Sequence, residues 1–330
     1  MSDIKKYSVA GKEMVKYHAE GIFFNRSMWL EEMLSRYSVD GVVGDPLFPP
    51  IRVSRGPLGN IPLFCQTDGR LEPTERAPGV EANLVGINVT SAQVLMRSRA
   101  LATWIPLEYE RADDEAWDLR NSSALHLRDL LLLDKERKAA AAVNSPANVS
   151  SIFLPASAWN SGGNAIGNIE YLFSHVGSSG GLRPDRLVFG SVAWTSFASN
   201  SSAIARCNGM VTAERVSQVF RVNTVAISEA RYNIGVGATG RSYAPIFPAD
   251  VVVAFRAGNP DVYEARWGCS PTWRPGGFET GGRFLVELHP LSRRNQSTRV
   301  EVGTWETEAV VDPQLCAVLK GVNSAQGGGV

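Results

Sequence analysis

Residues 183–200 read RPDRLVFGSVAWTSFASN, and the reading of this stretch decides the rest. Pro184-Asp185 is turn chemistry. Leu187-Val188-Phe189 is a short apolar run suited to a buried strand. Gly190-Ser191 then opens a segment in which Trp194 and Phe197 recur at helical spacing. Strand, tight glycine turn and helix form the repeating unit of an α/β layer, and such layers also display nucleophilic serines. The residues speak against a nucleophile here. Phe-Gly-Ser-Val-Ala lacks the second glycine of the G-x-S-x-G elbow. None of the four histidines, His18, His126, His175 and His289, sits in a motif that would supply a base. Ser191 is expected to cap a helix.

Downstream, strands and short helices alternate. AIGNIEYLFSHVG is expected as helix, TAERVSQVF as helix with Thr212 at its N-cap, and NTVAISEA and DVVVAFRA as strands. The loop GVGATG, Gly235–Gly240, matches G-x-G-x-x-G in spacing only. A dinucleotide loop needs a helix directly behind it, and RSYAPIFPAD carries two prolines instead. It reads as a flexible or interface loop. GRFLVELHPLSRRNQSTRVEVGTWETEAVV predicts a long hairpin turning at SRRNQS, and LCAVLKGV closes the fold.

Upstream lies the strongest helical signal. Trp117, Ala124, Leu127 and Leu131 mark one apolar face, and Asp113, Asp114 and Glu115 complement the positive end of the helix dipole without requiring a metal. Lys135, Arg137 and Lys138 are read as cations towards the negative end, and His126 as a packed histidine. Asn144-Ser145-Pro146 stops the helix. About thirty residues make it ~45 Å long, a spine. Before it, eight of the eighteen prolines fall between Asp45 and Pro106. Proline confines strands there to edges, and so short a segment cannot bury Phe64, Leu84, Val85, Ile87, Val94 and Leu95 by itself. An arm lying on neighbouring chains resolves this. Residues 1–45 hold four of the seven lysines and an amphipathic helix around NRSMWLEEMLSRY.

Lys plus Arg and Asp plus Glu balance at 33 each in 330 residues, which excludes a dedicated nucleic-acid grip. The N-terminus lacks the apolar core of a signal peptide, and no apolar run reaches the length of a membrane span. Cys65, Cys207, Cys269 and Cys316 form no CxxC pair and are expected as free buried thiols. No catalytic residue, cofactor or metal ligand is assigned, and an enzyme is not expected.

The order of elements — polar arm, Pro-rich excursion, long helix ending in DKERKAAAAVNSP, then Trp159 opening a layer with RPDRLVFGSVAW and VTAERVSQVFRVNTVAISEARYN — resembles the major capsid protein of tailed double-stranded-DNA bacteriophages, the Hong-Kong-ninety-seven-type fold. The resemblance spans essentially the whole chain, and encapsulin shells are its nearest competitor, ahead of an α/β enzyme. It implies an α+β fold with an N-terminal arm (1–45), an extended β-hairpin loop (46–107), a peripheral domain with the spine helix (108–158), an α/β axial domain (159–284) and a return to the peripheral domain (285–330). It implies self-assembly into hexamers and pentamers of an icosahedral head, built in the host bacterial cytoplasm and found in the virion. Partners would be further copies of the chain, a separate scaffolding protein, a portal, a decoration protein and packaged double-stranded DNA held non-specifically, with no membrane. Arg70, Glu75, Arg76, Glu81, Arg293 and Arg294 are the implied intersubunit contacts, and Lys5, Lys6, Lys12 and Lys16 the candidate inner-surface DNA contacts. Some members crosslink a lysine of the extended loop to a neighbour's asparagine. Here no lysine lies between Lys16 and Lys135, so an uncrosslinked shell is expected.

Overall fold

The computed structural model describes residues 5–9, 12–19, 22–26, 30–31, 33–34, 41–53, 56–64, 74–76, 81, 89–111, 118–235, 240–259, 264–274, 283–289 and 297–324. A five-stranded sheet runs in the order Thr224–Ser228, Arg186–Gly190, Val252–Phe255, Cys316–Leu319, Ser151–Phe153. The first pair and the last pair are parallel and the two middle pairings antiparallel. Both faces are covered, which is why these strands read as unbroken apolar runs. Leu187, Phe189, Val252, Ala254, Ala317 and Leu319 face one core with helices Ala165–Gly180, Ser191–Ser199 and Ala213–Phe220. Val188, Val253, Phe255, Cys316 and Val318 face a second core. That strict alternation follows from the two-residue period of the strand.

Two of these strands lie outside the expected axial span of 159–284. Ser151–Phe153 and Cys316–Leu319 pair within this sheet and not with a peripheral layer. The four buried residues of Cys316–Leu319 explain it, because a strand apolar on both faces needs the middle of a two-sided sheet.

The second sheet joins Lys5–Val9, Lys12–Ala19, Ile22–Arg26, Leu285–His289, Ser297–Glu306, Gly268–Trp273 and Ala309–Val310 in that order. Arg97–Pro106 pairs along the whole of Ser297–Glu306, and Pro50–Val53 adds in parallel to Gly268–Trp273. The N-terminal lysine-rich segment is thus an antiparallel meander, not a plain polar arm. The expected helix after it survives in residues 30–31 and 33–34, with Leu30 and Leu34 buried.

The long helix, Leu119–Asn144, has 26 residues and is ~39 Å long. It starts later than the acidic cluster suggested: Asp118 is the cap, accepting from the Asn121 amide at 3.2 Å, and Asp113–Glu115 lie outside the described residues. Ala124, Leu127 and Leu131 pack on the second sheet, whereas Ala139, Ala140 and Val143 pack on the second core beneath the five-stranded sheet. One helix therefore joins both layers, which accounts for its length. Among the described residues, strands Leu58–Phe64 and Val89–Leu95 pair only with each other, as a separate two-stranded hairpin. Among the described residues no helix is long and apolar enough to cross a membrane.

Candidate functional site

Gly190 and Ser191 answer the question posed by the opening stretch. Helix Ser191–Ser199 has Gly190 as its cap residue and Ser191 inside its first turn, one place later than expected for a capping serine. Gly190 is required by close approach: a Cβ there would lie 2.2 Å from the Pro248 carbonyl oxygen and 2.5 Å from that of Ala249. Its amide donates to Val251 O at 2.8 Å. The turn is built to let the 248–251 backbone cross it. His175 stands edge-on to Phe153, His289 lies on the second sheet, and His126 is exposed at a groove and not packed as expected. Thr212 does cap its helix, accepting from the Arg215 amide at 3.3 Å.

Among the described residues, a cluster of four linked charges lies where sequence reasoning placed no site. Lys135, read as a cation near the helix end, is fully buried in its middle. Its ammonium donates to Asp45 Oδ1 at 2.6 Å and to the Phe48 carbonyl at 3.3 Å, and lies 3.7 Å from Glu306 Oε2. Arg283 donates to the same Asp45 oxygen at 2.7 Å and to Glu306 Oε1 at 2.8 Å. Two cations and two carboxylates thus alternate in a ring. Asp45 is pulled down to about 2: burial opposes its charge, but Lys135 and Arg283 outweigh burial. Next to the ring, Glu136 Oε2 accepts the Val43 and Gly44 amides at 2.7 and 2.6 Å, and Oε1 accepts the Ser228 hydroxyl at 2.9 Å. Burial nevertheless pushes its carboxyl above the ordinary value. Arg186 adds a bond to the Pro46 carbonyl at 2.8 Å.

These groups fasten residues 43–48 to the long helix, the five-stranded sheet and the second sheet at once. Val43, Leu47 and Phe48 are buried there. From this root the chain runs through Pro50–Val53 into the separate hairpin. A second fastening lies in Arg97–Pro106, the strand of the second sheet that follows the hairpin, where Arg99 grips Glu308 with both terminal guanidinium nitrogens at 2.8 and 2.7 Å. The only signal in the sequence was the pair Lys135-Glu136 inside a helix whose apolar face continues past it, and partners some 90 residues away cannot be read from spacing.

The hairpin and the sheet beyond it leave apolar side chains in water. Leu58 and Leu95, cross-strand partners, are 52% and 58% exposed. Trp104 is 53% exposed, with the Arg299 guanidinium 5.8 Å from its ring centre. Beside it a groove of about 400 Å³ runs between Ala102-Thr103 and the helix residues Ser122, His126 and Leu130. Tyr232, Ile234 and Tyr243 are exposed on the small hairpin of Arg231–Asn233 and Tyr243–Pro245, which flanks the glycine-rich loop.

Of the residues proposed for intersubunit contact, Glu75, Arg76 and Glu81 are exposed. Arg70, Arg293 and Arg294 lie outside the described residues. Lys5 is the register partner of Lys16, Lys6 of Val15 and Lys12 of Val9, so the meander gathers the four lysines on two neighbouring strands. Cys207, Cys269 and Cys316 are free and buried, and burial raises Cys269 to about 11. Among the described residues one grouping, Glu287, His289 and Glu301, has ligand atoms close enough for a metal. Arg299 already lies 2.6 Å from Glu301 and supplies the countercharge.

No family model matches the chain. The chain is 22% identical over 223 residues to the major capsid protein of Burkholderia phage BcepMu, covering 64% of this chain and 70% of that one. A phage-related protein from Bordetella bronchiseptica RB50 superposes with a TM-score of 0.68 at 20% identity, over 89% of this chain and 96% of that one. The capsid structure of cyanophage P-SCSP1u gives a TM-score of 0.53 at 14% identity, over 87% and 90%. The chain has the fold of phage capsid proteins.

Proposed function

We propose that the chain is the major capsid protein of a phage head, a tile that closes into pentamers and hexamers around double-stranded DNA. The observation that carries this is the separate hairpin. Two strands alone are marginal in water, and this pair exposes Leu58 and Leu95 on a body whose fold is that of phage capsid proteins. Copies lying over one another shelter such a hairpin. In rings of identical chains the contact is heterologous, so the hairpin's charges at Glu75, Arg76 and Glu81, and Arg70 beside them, meet a different surface of the neighbour. Arg293 and Arg294, between the strands Leu285–His289 and Ser297–Glu306, offer cations on that neighbour. Lys5, Lys6, Lys12 and Lys16 lean on phosphates without reading sequence. A scaffolding protein, a portal and a decoration protein are the proposed partners, and the virion the destination.

Electron microscopy of the purified chain, alone and co-expressed with the scaffolding protein, tests the reading. Closed icosahedral shells that form with the scaffold are expected. A chain that remains a monomer at every concentration would overturn it, and shells that close unaided around an enzyme cargo would replace it with an encapsulin.

A further inference from the structure

We propose that the ring of Lys135, Asp45, Arg283 and Glu306 is a two-position joint. In the position seen, Asp45 bridges the two cations. In the other, Asp45 turns to water and Glu306 bridges both cations alone, freeing the root of the hairpin from its charge tie.

The geometry is asymmetric in the way such a joint requires. A single oxygen of Asp45 takes both cations, whereas Glu306 uses only Oε1, on Arg283. Its Oε2 is buried and accepts no hydrogen bond among the described residues, with the Lys135 ammonium waiting at 3.7 Å. A shift of about 0.9 Å brings that ammonium to charge-assisted hydrogen-bonding distance. The exposures point the same way. The side chains of Lys135 and Glu306 are 0% and 2% exposed, but that of Asp45 is 43% exposed and can rehydrate in place. Removing one partner from a buried ion network normally strands a charge. Here Glu306 holds an oxygen in reserve, and Glu308 keeps further negative charge near Lys135. Asp45 sits in the short helical turn Gly44–Leu47, directly before the strand that leads into the hairpin. Losing its tie loosens that turn while Val43, Leu47 and Phe48 stay buried. One chain can then hold its hairpin at more than one angle. That use rests on the shell reading, whereas the joint itself does not.

The test is hydrogen exchange and thermal melting of the full chain at neutral pH. The amides of Leu47 and Phe48, bonded to the carbonyls of Val43 and Gly44, report on the turn. Asp45→Asn should speed their exchange about tenfold and leave exchange in Val252–Phe255 unchanged, the mark of local opening. Glu306→Gln should lower the melting midpoint more than Asp45→Asn does. Because Glu306→Gln can prevent folding, Glu306→Asp is the second variant: too short to span both cations, it should make Asp45→Asn costlier than in the native background. Unchanged exchange at 47 and 48, a melting loss for Asp45→Asn equal to or above that of Glu306→Gln, or strict additivity of Asp45→Asn with Glu306→Asp would each overturn the joint. A chain that forms no shells yet shows this asymmetry would sink the shell reading and leave the joint standing.

Discussion

Glu136 sits where a carboxylate is costly, and three hydrogen bonds hold it there. The bonds and the charge can be separated. In Glu136→Gln the amide oxygen can replace Oε2 and keep both backbone donors, while the amide nitrogen donates to Ser228, whose hydroxyl turns to accept. Glu136→Ala leaves two buried N–H groups without an acceptor, each costing about 1–3 kcal/mol. The glutamine variant should unfold in urea within about 1 kcal/mol of the native chain and the alanine variant about 3 kcal/mol below it. Equal losses would mean that the charge, not the acceptor, matters. Asp45 titrates with the opposite sign. Its carboxyl is depressed from 3.8 to about 2, so its contribution is present above the ordinary value and is lost as pH falls towards 2. A shift of that size in a sheltered group is worth about 2.5 kcal/mol, but a side chain 43% exposed is screened to about 1 kcal/mol. The stability gap between the native chain and Asp45→Asn should therefore be constant above about pH 4 and close below it. A gap that persists undiminished to pH 2 would deny the ion pairing.

Local spacing made the strands and helices of the five-stranded layer legible. Arg186–Gly190, Ser191–Ser199, Ala213–Phe220 and Thr224–Ser228 all lie where alternation or helical recurrence placed them, because the information needed was within a few residues. The hairpin Leu285–His289 with Ser297–Glu306 was readable for the same reason. The meander over residues 5–26 was not. Four lysines among alternating residues read as a polar arm. The pairing of Cys316–Leu319 with Val252–Phe255, and the burial of Lys135 and Glu136, depend on partners far along the chain that local spacing does not identify. Gly190 tests how tightly one such element is drawn. Gly190→Ala keeps an allowed backbone angle, so any loss comes from the contact with the Pro248 and Ala249 carbonyls at 2.2 and 2.5 Å. Because backbone must yield, the variant should lose about 2–3 kcal/mol in denaturant unfolding. A neutral result would mean that the 248–251 segment moves freely.

For the whole molecule, the proposed shell puts the contacts between copies on what each copy leaves exposed. Leu58, Leu95 and Trp104, and on the small hairpin Tyr232, Ile234 and Tyr243, are apolar or aromatic groups in water on a chain with no excess charge. In the proposed shell, burial of such side chains would be worth about 25 cal/mol per Å², repeated at every contact between copies, with no covalent bond required. The hairpin segment also carries no amine with which to make one, since the chain passes from Lys16 to Lys135 without a lysine. Mature particles boiled in detergent should accordingly run as a single band near 35.8 kDa. A ladder at multiples of that mass would reveal a covalent link between copies and remove burial as the sole cement. Fragments below the band would be silent on the point, so the decisive region of the gel lies above the monomer.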